Sequence, residues 1–176
     1  LPELTSPRAR EIVVVARELL ESEGAAALTM RRLADRLGIR APSLYKHLPD
    51  KHALEVAIIV SGFEEAAELF EAAIATGTEP LPALVAAYRR FARQHQHTYR
   101  LMTDRPLPRS ALPAGLEART AAPLLYATGS PDRARAAWAF IHGMVILELN
   151  GRFPDDDHTE PAWQSGIAAF QKGQSH

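Results

Sequence analysis

The chain has 176 residues, with 20 Lys and Arg against 21 Asp and Glu, and 47% of it is hydrophobic. That is the composition of a folded globular protein, which excludes a disordered polyelectrolyte, and the length suits one domain or two small ones sharing a core. Cysteine is absent, which removes disulfides, thiolate metal sites and thiol nucleophiles together.

The elements follow in chain order. Thr5, Ser6 and Pro7 form a helix-start signal, and Ile12, Val15, Ala16, Leu19 and Leu20 make one apolar stripe that Gly24 ends. A short second helix starts at Thr29, buries Leu33, Ala34 and Leu37, and stops at Gly38. A third begins near Ala41, with Pro42 in its first turn, and ends before Pro49. Asp50 caps a long fourth helix running to about Ala75. Gly77 to Pro82 reads as a breaker cluster, after which Leu84, Tyr88, Phe91 and His95 recur at helical spacing. Arg105 to Pro113 reads as a loop or a broken helix. Further helices are expected from Leu116 to Ala127, from Asp132 to Asn150, and around Trp163, Ile167 and Phe170, with an acidic loop from Pro154 to Pro161. The pattern is all-α.

Charge is uneven on a local scale. Between Thr29 and His52 lie Arg31, Arg32, Arg36, Arg40, Lys46 and Lys51, opposed by Asp35 and Asp50, a net of +4 in a chain whose net charge is −1. Such a patch is either a polyanion footprint or a solvated helical surface. Two short helices joined by a glycine turn match the helix-turn-helix plan, whose second helix fits the major groove of B-DNA. Leu33, Leu37 and Leu44 then face the first helix, which leaves Arg40, Ala41, Ser43, Lys46 and His47 outward and Tyr45 at the margin.

The stretch from Leu28 to Leu54, above all Leu44-Tyr45-x-His47 and Lys51-x-x-Leu54, resembles the DNA-binding domain of TetR-family transcriptional regulators. The likeness runs over about residues 8 to 55, and Leu48 departs from it by standing where the family more often has Phe. The resemblance implies an N-terminal three-helix DNA-binding domain over residues 1–53 and a helical ligand-binding and dimerisation domain over 54–176. It implies that Arg40, Ala41, Pro42, Ser43 and Lys46 meet base edges or nearby backbone. Tyr45, His47 and Lys51 would touch phosphates, and Thr29 and Met30 would offer backbone N–H groups to a phosphate, with Arg31 beside them. Arg40 and Lys46 are the candidates for reading guanine.

The helix from Ala134 to Leu149 is apolar on nearly every side, so it is either central in a monomer or shared with a second copy. A four-helix contact between two copies, through Phe140, Ile141, Val145, Leu149, Trp163, Ile167 and Phe170, is the favoured expectation. Trp138-x-x-x-His142-Gly143, with Tyr99-Arg100-Leu101-Met102, resembles the Trp-His-Gly branch of the same family. By that resemblance Phe91, His95, Tyr99, Met102, Trp138 and His142 line an inducer pocket for an apolar or aromatic molecule. Plain core packing explains the same residues.

The expected protein is therefore a homodimeric, small-molecule-responsive repressor on a near-palindromic DNA operator, its fourth helix joining pocket to DNA-binding domain. The alternative is a helical ligand-binding or scaffolding protein without DNA binding. Catalysis is not expected. His95 and His97 point apart on a helix, Asp155-Asp156-Asp157-His158 lacks the spacing of a calcium loop, and no phosphate loop, nucleophile elbow or dinucleotide fingerprint occurs. No cofactor and no metal are expected. The longest nearly apolar run, Ala134–Leu149, is shorter than the ~20 residues of a membrane span, and no signal-peptide pattern opens the chain, so no membrane association and a cytoplasmic location are expected.

Overall fold

The computed structural model describes residues 6–76, 79–154 and 159–171. These form α1 (Pro7–Glu23), α2 (Met30–Arg36), α3 (Ala41–Tyr45), α4 (Lys51–Thr76), α5 (Pro80–Gln94), α6 (Gln96–Thr103), a 3₁₀ turn (Arg109–Ala111), α7 (Leu116–Thr128), α8 (Pro131–Leu149) and α9 (Thr159–Gln171). The architecture is all-α, with an N-terminal helix-turn-helix bundle followed by a helical region, and no strand occurs among the described residues. The acidic residues Asp155–Asp157 with His158, and Gly77 of the breaker cluster, lie outside the described residues.

Side-chain caps start several helices. Ser6 Oγ accepts from the Ala9 N–H at 3.1 Å, Thr29 Oγ1 from Arg32 N–H at 3.2 Å, Asp50 Oδ1 from Ala53 N–H at 2.7 Å and Ser130 Oγ from Arg133 N–H at 3.3 Å. Each satisfies a donor that has no carbonyl within its own helix.

Helix boundaries differ from the sequence expectation in two ways. Pro80, Pro82 and Pro161 lie inside first turns rather than in breakers, so α5 and α9 begin earlier than their spacing suggested. A first-turn residue needs no intrahelical N–H partner, so proline costs little there. Conversely, the helical spacing that reaches His95 does not continue unbroken: the chain turns at His95 (φ −125°, ψ 55°) and α6 starts afresh. Glu21 of α1 stabilises that new start. Its carboxylate accepts the N–H groups of His97 at 3.1 Å and Thr98 at 2.8 Å, placing negative charge at the positive end of α6.

Two compact units result, Leu1–Glu64 with His95–Leu116, and Glu65–Gln94 with Glu117–His176. The first is centred on Ile12, Ala16, Leu19 and Leu20 of α1, Leu33 and Ala34 of α2, Leu44 and Leu48, and Leu54, Ala57 and Ile58 of α4. Gly62 lets α6 lie close against α4: a Cβ there would stand 2.6 Å from Met102 Sδ and 3.0 Å from Thr98 Cγ2.

The second unit is built on α5, α8 and α9, with Phe91, Ile141, Val145, Trp163 and Ile167 buried. The Phe140 ring covers Gly166, where a Cβ would collide with it, and meets Trp163 edge-on at 5.7 Å. Arg89 of α5 is the polar centre of this unit. It donates to Glu148 from Nε at 3.0 Å and Nη2 at 2.7 Å, to Glu160 at 3.0 Å and to Thr159 at 3.3 Å. Trp163 Nε1 donates to the same Glu148 at 2.8 Å, and the guanidinium lies 5.2 Å from the Trp163 ring centre. Hydrogen bonds from Gln164, first, and Arg89 hold the Glu160 carboxyl below its ordinary pKa.

Candidate nucleic-acid interface

The turn between α2 and α3 is set by backbone geometry. Gly38 adopts φ +65° with open space around it, so conformation rather than crowding demands glycine. The Gly38 N–H donates to Asp35 O at 3.1 Å and Ile39 N–H to Ala34 O at 3.0 Å, which seals the end of α2. α3 has five residues, opened by Arg40 in extended geometry and by Pro42 in the first turn. Leu44 anchors it from below with no exposed surface, and Leu48 secures the chain that follows.

Most of the rest of α3 and its flanks faces water. Arg40, Pro42, Ser43, Tyr45 and Lys46 are exposed, while Ala41 and His47 are half-buried. Tyr45 keeps 48% of its surface accessible, high for an aromatic side chain with a core close by. Thr29 and Arg31 are exposed at the start of α2, whereas the Met30 side chain is buried, so at that position the backbone is what remains to meet a partner. Lys51 is exposed at the start of α4 and lies 3.6 Å from Glu55.

The cations of this region differ in what they touch. Arg31, Arg40 and Lys46 make no ion pair among the described residues, whereas Glu23 meets both Arg32 and Arg36. Glu23 lies outside the Thr29–His52 window, so counting charge within the window could not register it; α1 brings it to α2 only in three dimensions.

The residues expected to line an inducer pocket are distributed over both units. Phe91, Tyr99 and Met102 are buried, and His95 and His142 are half-buried. Trp138 departs from an enclosed position. It is 50% exposed, stacks on His142 with ring centres 5.8 Å apart, and donates from Nε1 to the Tyr88 hydroxyl at 3.2 Å.

The residues expected at a dimer contact fall into two groups. Ile141, Val145, Trp163 and Ile167 are buried within the chain's own core, and α8 packs against both α5 and α9. Phe140 and Phe170 are partly buried and lie with ring centres 6.0 Å apart, and Leu149 is half-buried. The opposite side of α8 carries Ala136, Ala139, Gly143, Ile146 and Leu147. Leu147 is 40% exposed, and a Cβ on Gly143 would meet nothing within 4 Å.

Among the described residues no group of three or more His, Asp or Glu is arranged to hold a metal, and no helix is long and apolar enough to cross a membrane.

Residues 12–58 match the family model described as bacterial regulatory proteins of the tetR family, and residues 81–170 match the tetracyclin repressor-like C-terminal domain. An uncharacterised helix-turn-helix transcriptional regulator of Mycobacterium tuberculosis is 31% identical over 157 residues, which cover 83% of this chain and 72% of that protein. A structure of a protein of unknown function from Rhodococcus sp. RHA1 shares the fold, with a TM-score of 0.77, 22% identity, and 98% and 97% of the two chains covered. A TetR variant from Acinetobacter baumannii AYE, solved in complex with minocycline, superposes with a TM-score of 0.66 at 26% identity, over 93% and 94% of the chains. The chain therefore belongs to the TetR family of bacterial transcriptional regulators.

Proposed function

We propose that this protein is a homodimeric repressor that binds a near-palindromic operator and is released by a small molecule. The observation that carries the reading is the exposed face of α3, where Arg40, Ser43, Tyr45 and Lys46 stand clear of the core and Arg40 and Lys46 have no ion pair among the described residues. An unpaired cation at the start of an exposed helix is suited to guanine O6 and N7. Ala41, Pro42 and Ser43 would come close to the bases, Tyr45, His47 and Lys51 to phosphates, and Thr29, Met30 and Arg31 to a phosphate at the start of α2.

Residues 1–53 would act as the DNA-binding domain and the remainder as the effector and dimer domain, with Trp138, His142 and Gly143 as the Trp-His-Gly element. The second copy would meet the outward face of α8, with Phe140, Leu149 and Phe170 flanking. That face is self-complementary about a two-fold axis near Gly143. In an antiparallel crossing, Leu147 of one copy falls opposite Ala139 of the other, large against small. A two-fold dimer places two recognition helices about 34–36 Å apart, one helical turn of DNA. The minocycline complex of the A. baumannii protein supports a small-molecule effector of apolar or aromatic character.

The test is to recover the DNA that the purified protein retains from a genomic pool and to titrate it across a salt series. Tight, salt-dependent binding to a sequence with two related half-sites is expected. Binding that is absent, or flat with salt, would remove the DNA-binding reading.

A further inference from the structure

Glu23 closes α1 opposite the outer face of α2. Its Oε2 accepts from Arg32 Nη2, and its Oε1 lies 3.5 Å from Arg36 Nη1. Arg32 and Arg36 are four residues apart and share a helix face, so one carboxylate meets both. All three side chains stay in contact with water: Arg32 is 55% exposed, Arg36 50% and Glu23 28%. The neighbouring Arg31 makes no such pair among the described residues.

We propose that Glu23 sets how tightly the DNA-binding unit grips DNA of any sequence, by holding Arg32 and Arg36 on its own carboxylate and away from phosphates. Arg32 is the third residue of α2, the end whose backbone is expected to face a phosphate. Released, its guanidinium is a sequence-blind phosphate ligand, and Arg36 follows one turn behind. Every such contact strengthens binding to all duplexes and steepens the salt dependence. A regulator that must find one site among a genome of competitors gains by limiting that contribution. Arg31, Arg40 and Lys46 then supply a larger share of the binding, and two of these three are the base-reading candidates. The plainer role, a tie between α1 and α2, predicts a change in stability and none in salt dependence.

This inference rests on the DNA-binding reading, and the experiment separates the two. Full-length wild type, Glu23→Ala, Arg32→Gln/Arg36→Gln and the triple variant are titrated with a random-sequence duplex between about 50 and 200 mM salt, and their melting temperatures are measured. Glu23→Ala is expected to steepen the slope of log K against log salt by about 0.9 for each released arginine. Its affinity at the low-salt end should rise about fivefold or more. The triple variant should return to the wild-type slope, and Arg32→Gln/Arg36→Gln should stay within about 0.5 of it. An unchanged slope in Glu23→Ala with a lowered melting temperature overturns the proposal in favour of a tie. A clearly flatter slope in Arg32→Gln/Arg36→Gln also overturns it, because the arginines would already be on the DNA; that variant decides the matter should Glu23→Ala fail to fold. A wild-type protein without salt-dependent binding would instead remove the DNA-binding reading itself.

Discussion

Arg89 and Arg32 both donate to glutamates, yet the two sites differ in burial and in the number of groups fixed. Arg89 is 22% exposed and its main partner Glu148 10%, and Trp163, Thr159 and Glu160 complete the arrangement across α5, α8 and α9. Its guanidinium is held in two parallel bonds and by the face of an aromatic ring, so three helices lose their polar partners together if it moves. Arg32 and Arg36 lie on the surface, and exposed pairs of that kind are worth about 0–1 kcal/mol. The same chemistry thus fastens a partly buried core in one unit and lies at the surface of the other. Losing Glu23 as the partner of Arg32 would cost the fold little, whereas nothing from solvent replaces Glu148.

The strongest way to break this contrast is Glu148→Ala. It leaves the partly buried Arg89 guanidinium and the Trp163 indole N–H without their shared acceptor, and a loss of about 2–4 kcal/mol in unfolding free energy is expected. Urea denaturation measures it. A loss near that of an exposed pair would place the two arginine sites in one class.

Next in size is Gly38→Ala, which sharpens the contrast from the other side, since the helix-turn-helix should depend on backbone conformation where the second unit depends on a polar network. A Cβ at φ +65° meets no neighbour, so the cost is conformational, about 1–2 kcal/mol. Chemical denaturation should show that loss, and amide exchange should place it in α2 and α3. Exchange unchanged there would mean that Leu44 and Leu48 hold α3 without help from the turn.

A smaller effect is expected at Lys51, whose 3.6 Å approach to Glu55 is longer than a hydrogen bond, unlike the Glu23–Arg32 contact. Lys51→Ala should flatten the salt dependence of DNA binding by about 0.9 and leave the preferred sequence unchanged. A shifted preference in a randomised-site selection would make Lys51 a base-reading residue instead.

The contrast also explains what could be read without coordinates. The helix-turn-helix was legible because its determinants are local: the Thr29 cap, the left-handed Gly38, the leucine spacing and Pro42 all lie within a few residues of what they control. The α5–α6 break was not, because its stabilising carboxylate, Glu21, is 76 residues away from His97 in the chain. For the same reason the apolar character of α8 showed that it had to be covered but not by what. The side bearing Ile141 and Val145 is buried within the chain itself, which leaves the side with Ala136, Ala139, Gly143 and Leu147 outward. Likewise a count of cations within one segment carried no sign of Glu23.

The smallest expected effect comes from a third pair, exposed like Arg32 but bidentate like Arg89. Arg119 donates to Glu71 from Nε at 2.8 Å and from Nη2 at 2.6 Å. The hydrogen bonds from Arg119, first, outweigh an opposing desolvation and, with its charge as the least of the three causes, hold the Glu71 carboxyl below its ordinary pKa. A carboxylate whose pKa is lower folded than unfolded adds stability above its unfolded pKa, and that contribution is lost as pH falls through the folded value. Arg119→Ala should therefore move the Glu71 titration upward, toward the ordinary carboxylate range, and make the protein slightly less stable at neutral pH, with the difference from wild type vanishing in acid. Carboxyl-detected NMR titration follows Glu71 directly. An unmoved titration would show that bidentate geometry does not hold an exposed pair together, leaving burial as the property that separates Arg89 from Arg32.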